Sequence, residues 1–188
     1  MRNRRERSRQ LLLTIVLLLV AVGSAQAKSF ESSLDPPRWA VKSLLASGIE
    51  VWPGDLGGAA YTVSRHLSPN YVEGDFDGDG KSDVAILIRR KADDKFGMAI
   101  LLRAQAKSGA KATILGAGSS FGTSGTDFRR MDAWSVQSQE SFPPKIRSAW
   151  KGPQPKTKRD GLILQKRGSA EALVTYDGAK FVWTPYGG

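Results

Sequence analysis

Cysteine is absent from the 188-residue chain, and histidine occurs once, at position 66. No disulfide can form and no thiol is available for lipid attachment, so stability must come from apolar burial, with a metal ion as the remaining possibility. No apolar run reaches the roughly 20 residues that a comfortable membrane span needs. The longest, Leu11 to Val22, has twelve. No period of about 20–50 residues recurs, so a solenoid or a full propeller is not encoded. A lone His66 reads as a loop or surface residue rather than a general base.

What is present begins with a targeting pattern. Met1 to Gln10 carries five arginines against Glu6, the apolar run follows, and Ala25-Gln26-Ala27 supplies small residues where a signal peptidase reads. A basic region, a short apolar core and an A-x-A site together predict a Sec-type signal peptide over residues 1–27, with an uncleaved anchor as the alternative. Glu6-Arg7-Ser8 after Arg4-Arg5 argues against a twin-arginine route. The mature chain is then a single exported domain over residues 28–188, periplasmic or extracellular. Removing the five arginines and Glu6 lowers the net charge from +10 to +6. Export and so modest an excess make nucleic acid an improbable partner; an anionic envelope polymer or a protein partner suits the charge better.

Along the mature chain, Asp35-Pro36-Pro37 predicts a helix start with Asp35 as N-cap, and Gly48 a C-terminal cap, for a helix from Pro36 to Ser47. Ala60 to Val63 reads as a short strand, Val84 to Arg90 as a central one, and Gly97 to Arg103 as its hairpin partner. Ala104 to Lys111 reads as a turn, and Ala112 to Leu115 as a third strand. Gly116 to Thr126 is glycine- and serine-rich loop, and Met131 to Val136 is a strand with Trp134 in the core. The run Lys151 to Asp160 resembles an exposed basic excursion. Strands at Gly161 to Gln165, Glu171 to Tyr176 and Lys180 to Pro185 complete the chain, the last two joined by an Asp177-Gly178 turn. One helix followed by six or seven antiparallel strands predicts an α+β, mostly β, fold that is not a full propeller.

The most specific stretch is Asp75-Phe76-Asp77-Gly78-Asp79-Gly80-Lys81-Ser82-Asp83, followed at once by the apolar run Val84 to Ile88. Calcium takes six to eight oxygens at about 2.3–2.6 Å, and a tight loop offers them from alternate positions. Asp75, Asp77, Asp79 and Asp83 supply carboxylates and Lys81 a backbone carbonyl, while Gly80 permits the sharp turn. Without an ion, four carboxylates crowd one turn with only Lys81 to offset them. Magnesium, which retains its waters, fits less well. An Asp/Gly turn that binds nothing and only closes a hairpin is the bland alternative.

An EF-hand requires an acid at loop position 12, where this chain has Ile86, and a dockerin loop shares that requirement. GDFDGDGKSDVAIL, Gly74 to Leu87, closes at position 9 and runs straight into a strand. It resembles the calcium-binding repeat of the FG-GAP and VCBS-type families, found in integrin-like propellers and in exported bacterial proteins. The resemblance implies Asp75, Asp77, Asp79 and Asp83 as cation ligands and Val84 to Leu87 as the strand that follows. It covers one copy of the loop, as in small exported bacterial proteins of unassigned role.

Other signals weigh less. Gly118-Ser119-Ser120-Phe121-Gly122 matches the G-x-S-x-G pattern, but it lies in glycine-rich loop with the histidine before it. Asp127 and Asp132 read as solvated or capping acids, and Arg89-Arg90-Lys91 and Arg129-Arg130 as strand ends that form an anion patch only if they converge. Trp134, Trp150 and Trp183 read as core aromatics. The combined expectation is a monomeric, non-enzymatic binding or envelope-associated module with one structural calcium site. The alternatives are an envelope hydrolase using the Gly116 to Gly125 loop or the Asp127/Asp132 pair, and an inhibitor or partner of a secreted enzyme.

Overall fold

Among the described residues the first helix begins later than its sequence signals suggest. In the computed structural model, which describes residues 35–185 apart from 108, 110, 150 and 168, α1 spans Arg38–Ala46. Pro37 is its N-cap and no side chain caps it. Asp35 is turned elsewhere, its carboxylate accepting a hydrogen bond from Trp52 Nε1 at 3.0 Å. The C-terminal signal holds: Gly48 takes φ +76° and donates its N–H to Leu45 O at 3.0 Å, a conformation that a β-carbon would oppose. The expected targeting segment, residues 1–27, and Trp150 lie outside the described residues. No helix among the described residues is long and apolar enough to cross a membrane.

Two sheets follow. The first contains β1 (Ile49–Glu50), β2 (Tyr61–Val63), β3 (Tyr71–Gly74), β4 (Asp83–Arg90), β5 (Phe96–Leu101) and β6 (Thr113–Gly116), in the order β1-β2-β4-β5-β6 with β3 also on β4. β2 pairs with the C-terminal half of β4, from Tyr61 opposite Arg90 to Val63 opposite Ile88. β3 pairs with its N-terminal half, from Tyr71 opposite Ile86 to Gly74 opposite Asp83. The second sheet is β7 (Ala133–Ser138), β8 (Asp160–Lys166), β9 (Ser169–Tyr176) and β10 (Phe181–Pro185), an antiparallel meander in chain order. The fold is α+β, mostly antiparallel, and the described residues form no closed barrel or propeller. The ten strands among the described residues exceed the six or seven expected; β1 and β3, two and four residues long, are too short to stand out from sequence. The β1–β2 pair is parallel.

The period-two alternation of β4 explains the layering. Ala85 and Leu87 join Met98, Ile100, Leu162, Leu164 and Val174 in a core that unites strands of both sheets. Val84, Ile86 and Ile88 point the other way, into a second core with Ala40 and Leu44 of α1. All five residues are without exposed surface, and each of the larger ones contributes about 1.5–3 kcal/mol by burial. A smaller cluster of Phe142, Ile146, Ile163 and Leu173 lies on the outer face of the second sheet. There Ile146 belongs to the short helix α3 (Pro144–Arg147).

β5 stops at Leu101 rather than at Arg103 because the chain is diverted there. The Arg103 N–H donates to Asp83 Oδ1 at 2.8 Å, and Arg103, expected to end the strand, instead opens the short helix α2 (Arg103–Lys107), which occupies the first part of the turn expected from Ala104 to Lys111. The expected basic excursion is also corrected in part. Residues 151–158 skirt the surface, but Arg159 is among the largest fully buried side chains of the protein, with 1% exposure.

Candidate metal centre

The acidic loop is the connection of the β3–β4 hairpin, and Gly74 and Asp83 are the paired residues that close it. Gly74 has no room for a side chain: a β-carbon there would lie 2.9 Å from Phe76 Cε1 and 3.1 Å from Asp160 Oδ2. Phe76, 1% exposed, anchors the loop in the core between the sheets. Gly78 and Gly80 take φ +74° and +84°, which turns the chain back on itself so that alternate side chains face inward.

Three of the four loop carboxylates converge. Asp75, Asp77 and Asp83 each offer an oxygen, and these oxygens all lie within 4.8 Å of one another. Oxygens sharing one calcium at 2.3–2.6 Å lie at most about 5.2 Å apart, so the three fit a common hard-cation centre. Asp79 stands outside this group. Its Oδ1 accepts the Lys81 N–H at 2.8 Å and its Oδ2 the Lys81 Nζ at 2.7 Å, so Lys81 is bound to Asp79 by both main chain and side chain.

Asp83 is wholly buried, with Oδ2 accepting from Phe76 N at 2.9 Å and Oδ1 from Arg103 N at 2.8 Å. Burial pushes its carboxyl up to about 7, and the charges of Asp77 and Asp75 add to that, against the two backbone N–H groups. Burial likewise raises Asp77, with Asp79 and Asp75 adding. For Asp79 burial acts upward, but the Lys81 hydrogen bonds and charge outweigh it and hold the carboxyl below its ordinary value. Negative charge is therefore concentrated where a cation would relieve it. That is what a hard-ion donor set requires.

Sequence reading missed the second segment of the site. Asp75 N donates to Asp160 Oδ2 at 2.9 Å, Asp160 N donates to Asp75 O at 2.7 Å, and the Thr157 hydroxyl donates to Asp75 Oδ2. Lys156 N and Thr157 N both donate to Gly78 O, at 2.7 and 3.1 Å. The 151–160 segment is thus a strap laid against the acidic loop from the second sheet. The only local hint is an acid placed just before a strand, and a pairing 85 residues away in sequence leaves no local trace.

The remaining expected residues are placed as follows. Asp127 Oδ1 accepts the N–H groups of Phe96 and Arg129, both at 3.0 Å, and Asp132 Oδ2 accepts that of Arg167 at 2.5 Å, so Asp127 ties its turn to the start of β5 and Asp132 ties the start of β7 to the β8–β9 connection. His66 Nδ1 lies 2.8 Å from Ser64 Oγ, and its ring packs 4.4 Å from that of Phe96. Arg89 pairs with Asp94 at 2.8 Å, Arg90 with Asp93 at 2.5 Å and Lys91 with Glu50 at 2.7 Å. Arg129 lies over the Phe96 ring and donates to Asp94 O at 2.8 Å. Trp134 is 4% exposed, with Nε1 donating to Pro69 O at 2.7 Å, and Trp183 packs against Phe121 and Phe128. No protein-family profile matches the chain, and neither a curated protein nor a solved structure matches it significantly.

Proposed function

We propose that this chain is an exported, non-enzymatic binding or envelope-associated module whose 75–83 loop holds one structural divalent cation, calcium by its chemistry, in the manner of a single FG-GAP/VCBS-type loop. The observation that carries the reading is the convergence of Asp75, Asp77 and Asp83 around one point, with Asp83 fully buried. Asp75, Asp77 and Asp83 would hold the ion, which supplies positive charge to a like-charged cluster. Asp75 has a second task, since its main chain and its carboxylate bind the strap. Holding Asp75 in place therefore fixes the first sheet's loop to the second sheet's approach to β8. The signal-peptide pattern of residues 1–27 supports export.

Calorimetric titration of the metal-stripped protein with calcium, alongside Asp77→Ala, tests the proposal. One site with a heat signal and a rise in melting temperature is expected, with both lost in the variant. At free calcium 100-fold above Kd the stabilisation amounts to about 2.7 kcal/mol. Absence of heat together with an unchanged melting temperature would falsify the cation reading.

A further inference from the structure

On the outer face of the second sheet, away from the acidic loop's own ligands, a cavity of about 300 Å³ opens between α3, the strap and the β9–β10 hairpin. Thr175 and Val182 line it from the sheet and Ile146 from α3. Lys145, Lys151 and Lys180 stand exposed on its walls. Arg159 reaches in from the strap with 1% exposure. The wall is built rather than incidental. Lys151 N donates to Asp177 O at 2.7 Å, and a β-carbon on Gly178 would lie 2.3 Å from Gly152 N, so strap and hairpin are in close contact.

The charge of this lining is unbalanced. Arg159 is held by the wall itself, Nη1 donating to Tyr176 O at 2.5 Å and Nη2 to Ile146 O at 3.5 Å. Among the described lining residues Asp177, 6% exposed, is the one acid, and its Oδ1 accepts the N–H groups of Ala179 and Lys180 at 3.0 and 2.9 Å to form the hairpin turn. Among the described lining residues the three exposed lysines outnumber the one carboxylate, around a largely apolar volume. A concave, low-dielectric wall of one sign concentrates counter-ions. A volume near 300 Å³ lies at the small end of ligand cavities, which run from about 300 to 1,000 Å³.

We propose that this cavity binds a small amphiphilic organic anion, an acid group on a short apolar body. The acid group, a carboxylate or a phosphate monoester, lies among Lys151, Lys180 and Arg159, and the apolar body lies against Ile146 and Val182. The site is separate from the acidic loop and does not depend on a cation there.

Titration of the ¹⁵N-labelled protein by NMR tests this, with hexanoate and hexyl phosphate as anionic probes and hexanamide and hexylamine as neutral and cationic ones. Saturable shifts are expected at the amides of Thr175, Asp177 and Val182 with the anions, at least tenfold weaker with hexanamide and absent with hexylamine. The relative affinity of the two anions identifies which acid group fits. Charge reversal at the exposed mouth, Lys151→Glu with Lys180→Glu, should weaken binding at least tenfold while leaving the far-ultraviolet circular dichroism unchanged. Should that double variant unfold, Lys145→Gln, which removes one exposed charge, provides the second measurement, with a smaller loss of the same sign. Equal binding of hexanamide and hexanoate, or no saturable shift with either anion, overturns the proposal. Titrations in EDTA and in calcium should agree, so failure of the cation reading leaves this result unaffected.

Discussion

Asp75 and Asp160 are joined twice, by Asp160 N–H to Asp75 O at 2.7 Å and by Asp75 N–H to Asp160 Oδ2 at 2.9 Å. One residue follows β3 of the first sheet and the other begins β8 of the second. The pair ties the end of one sheet's strand to the start of the other's, beside the point where three carboxylates gather. The arrangement carries a conflict, because burial and the charge of Asp75 both raise the Asp160 carboxyl while the Asp75 N–H lowers it. Hydrogen bonding holds the two acids together and their charges oppose it.

That conflict separates two substitutions at position 160. Asp160→Ala removes the acceptor for Asp75 N–H and should cost about 1–2 kcal/mol in urea unfolding. Asp160→Asn keeps an acceptor oxygen and removes the charge. In metal-free protein it should match the parent to within about 0.5 kcal/mol or exceed it. If Asn costs as much as Ala, the charge rather than the hydrogen bond holds the sheets together.

Asp83 is a sharper case of a buried acceptor. Its two oxygens satisfy the Phe76 and Arg103 N–H groups, and Asp83→Ala would leave both donors without their acceptor in a dry site. A loss of about 2–4 kcal/mol is expected in EDTA, where no ion contributes. Asp83→Asn, which preserves one acceptor, should lose less than half of that. Equal losses would mean that the carboxylate charge, and not its hydrogen bonding, fixes the hairpin.

The parts of this protein legible from its sequence are those with strong local signals. The Val84 to Ile88 run, the Gly48 stop and the Asp177-Gly178 turn all correspond to observed elements, because apolar alternation and glycine geometry act within a few residues. The acidic loop was equally visible, and three of its four aspartates converge. Asp79 departs because Lys81, two residues on, competes for its carboxylate, and spacing alone does not encode that competition. The strap was illegible for the opposite reason. Thr157 and Asp160 meet Asp75 only when the second sheet closes on the first, across 82 residues between Thr157 and Asp75, while Arg159 finds Tyr176 and Ile146 within its own half of the chain.

His66 offers a pH test remote from the acidic loop. His66 is exposed, but partial desolvation beside the Phe96 ring lowers its imidazole below the ordinary histidine value of 6.5, while the charge of Asp127 acts in the opposite direction. A depressed folded value means that the neutral ring is favoured by folding. Its contribution is present above pH 6.5 and is lost as pH falls through the folded value. With one histidine in the chain, the Cε1–H resonance titrates alone, and its midpoint should lie below 6.5. The stability difference between the parent and His66→Gln should shrink on acidification across the same window. A midpoint at or above 6.5 would show that contact with the Phe96 ring does not desolvate the imidazole.

Two glycines of the acidic loop separate backbone strain from contact with the strap. Gly80 has φ +84°, and a β-carbon there would meet nothing nearer than Thr157 Cγ2 at 3.4 Å, an ordinary contact. Gly80→Ala should therefore cost only the left-handed backbone, about 1–2 kcal/mol. Gly78 has a similar φ, +74°, but a β-carbon there would lie 2.3 Å from Pro155 Cβ, and its carbonyl accepts both Lys156 N and Thr157 N. Gly78→Ala adds an overpacking cost of about 1–3 kcal/mol and can relieve it only by lifting the strap. Trypsin cleavage after Lys156 and Lys158 should then accelerate in Gly78→Ala and stay at the parental rate in Gly80→Ala, both measured in EDTA. Similar cleavage in the two variants would place the strap's hold elsewhere than on Gly78, because the shared backbone strain cannot distinguish them and only the Pro155 contact does.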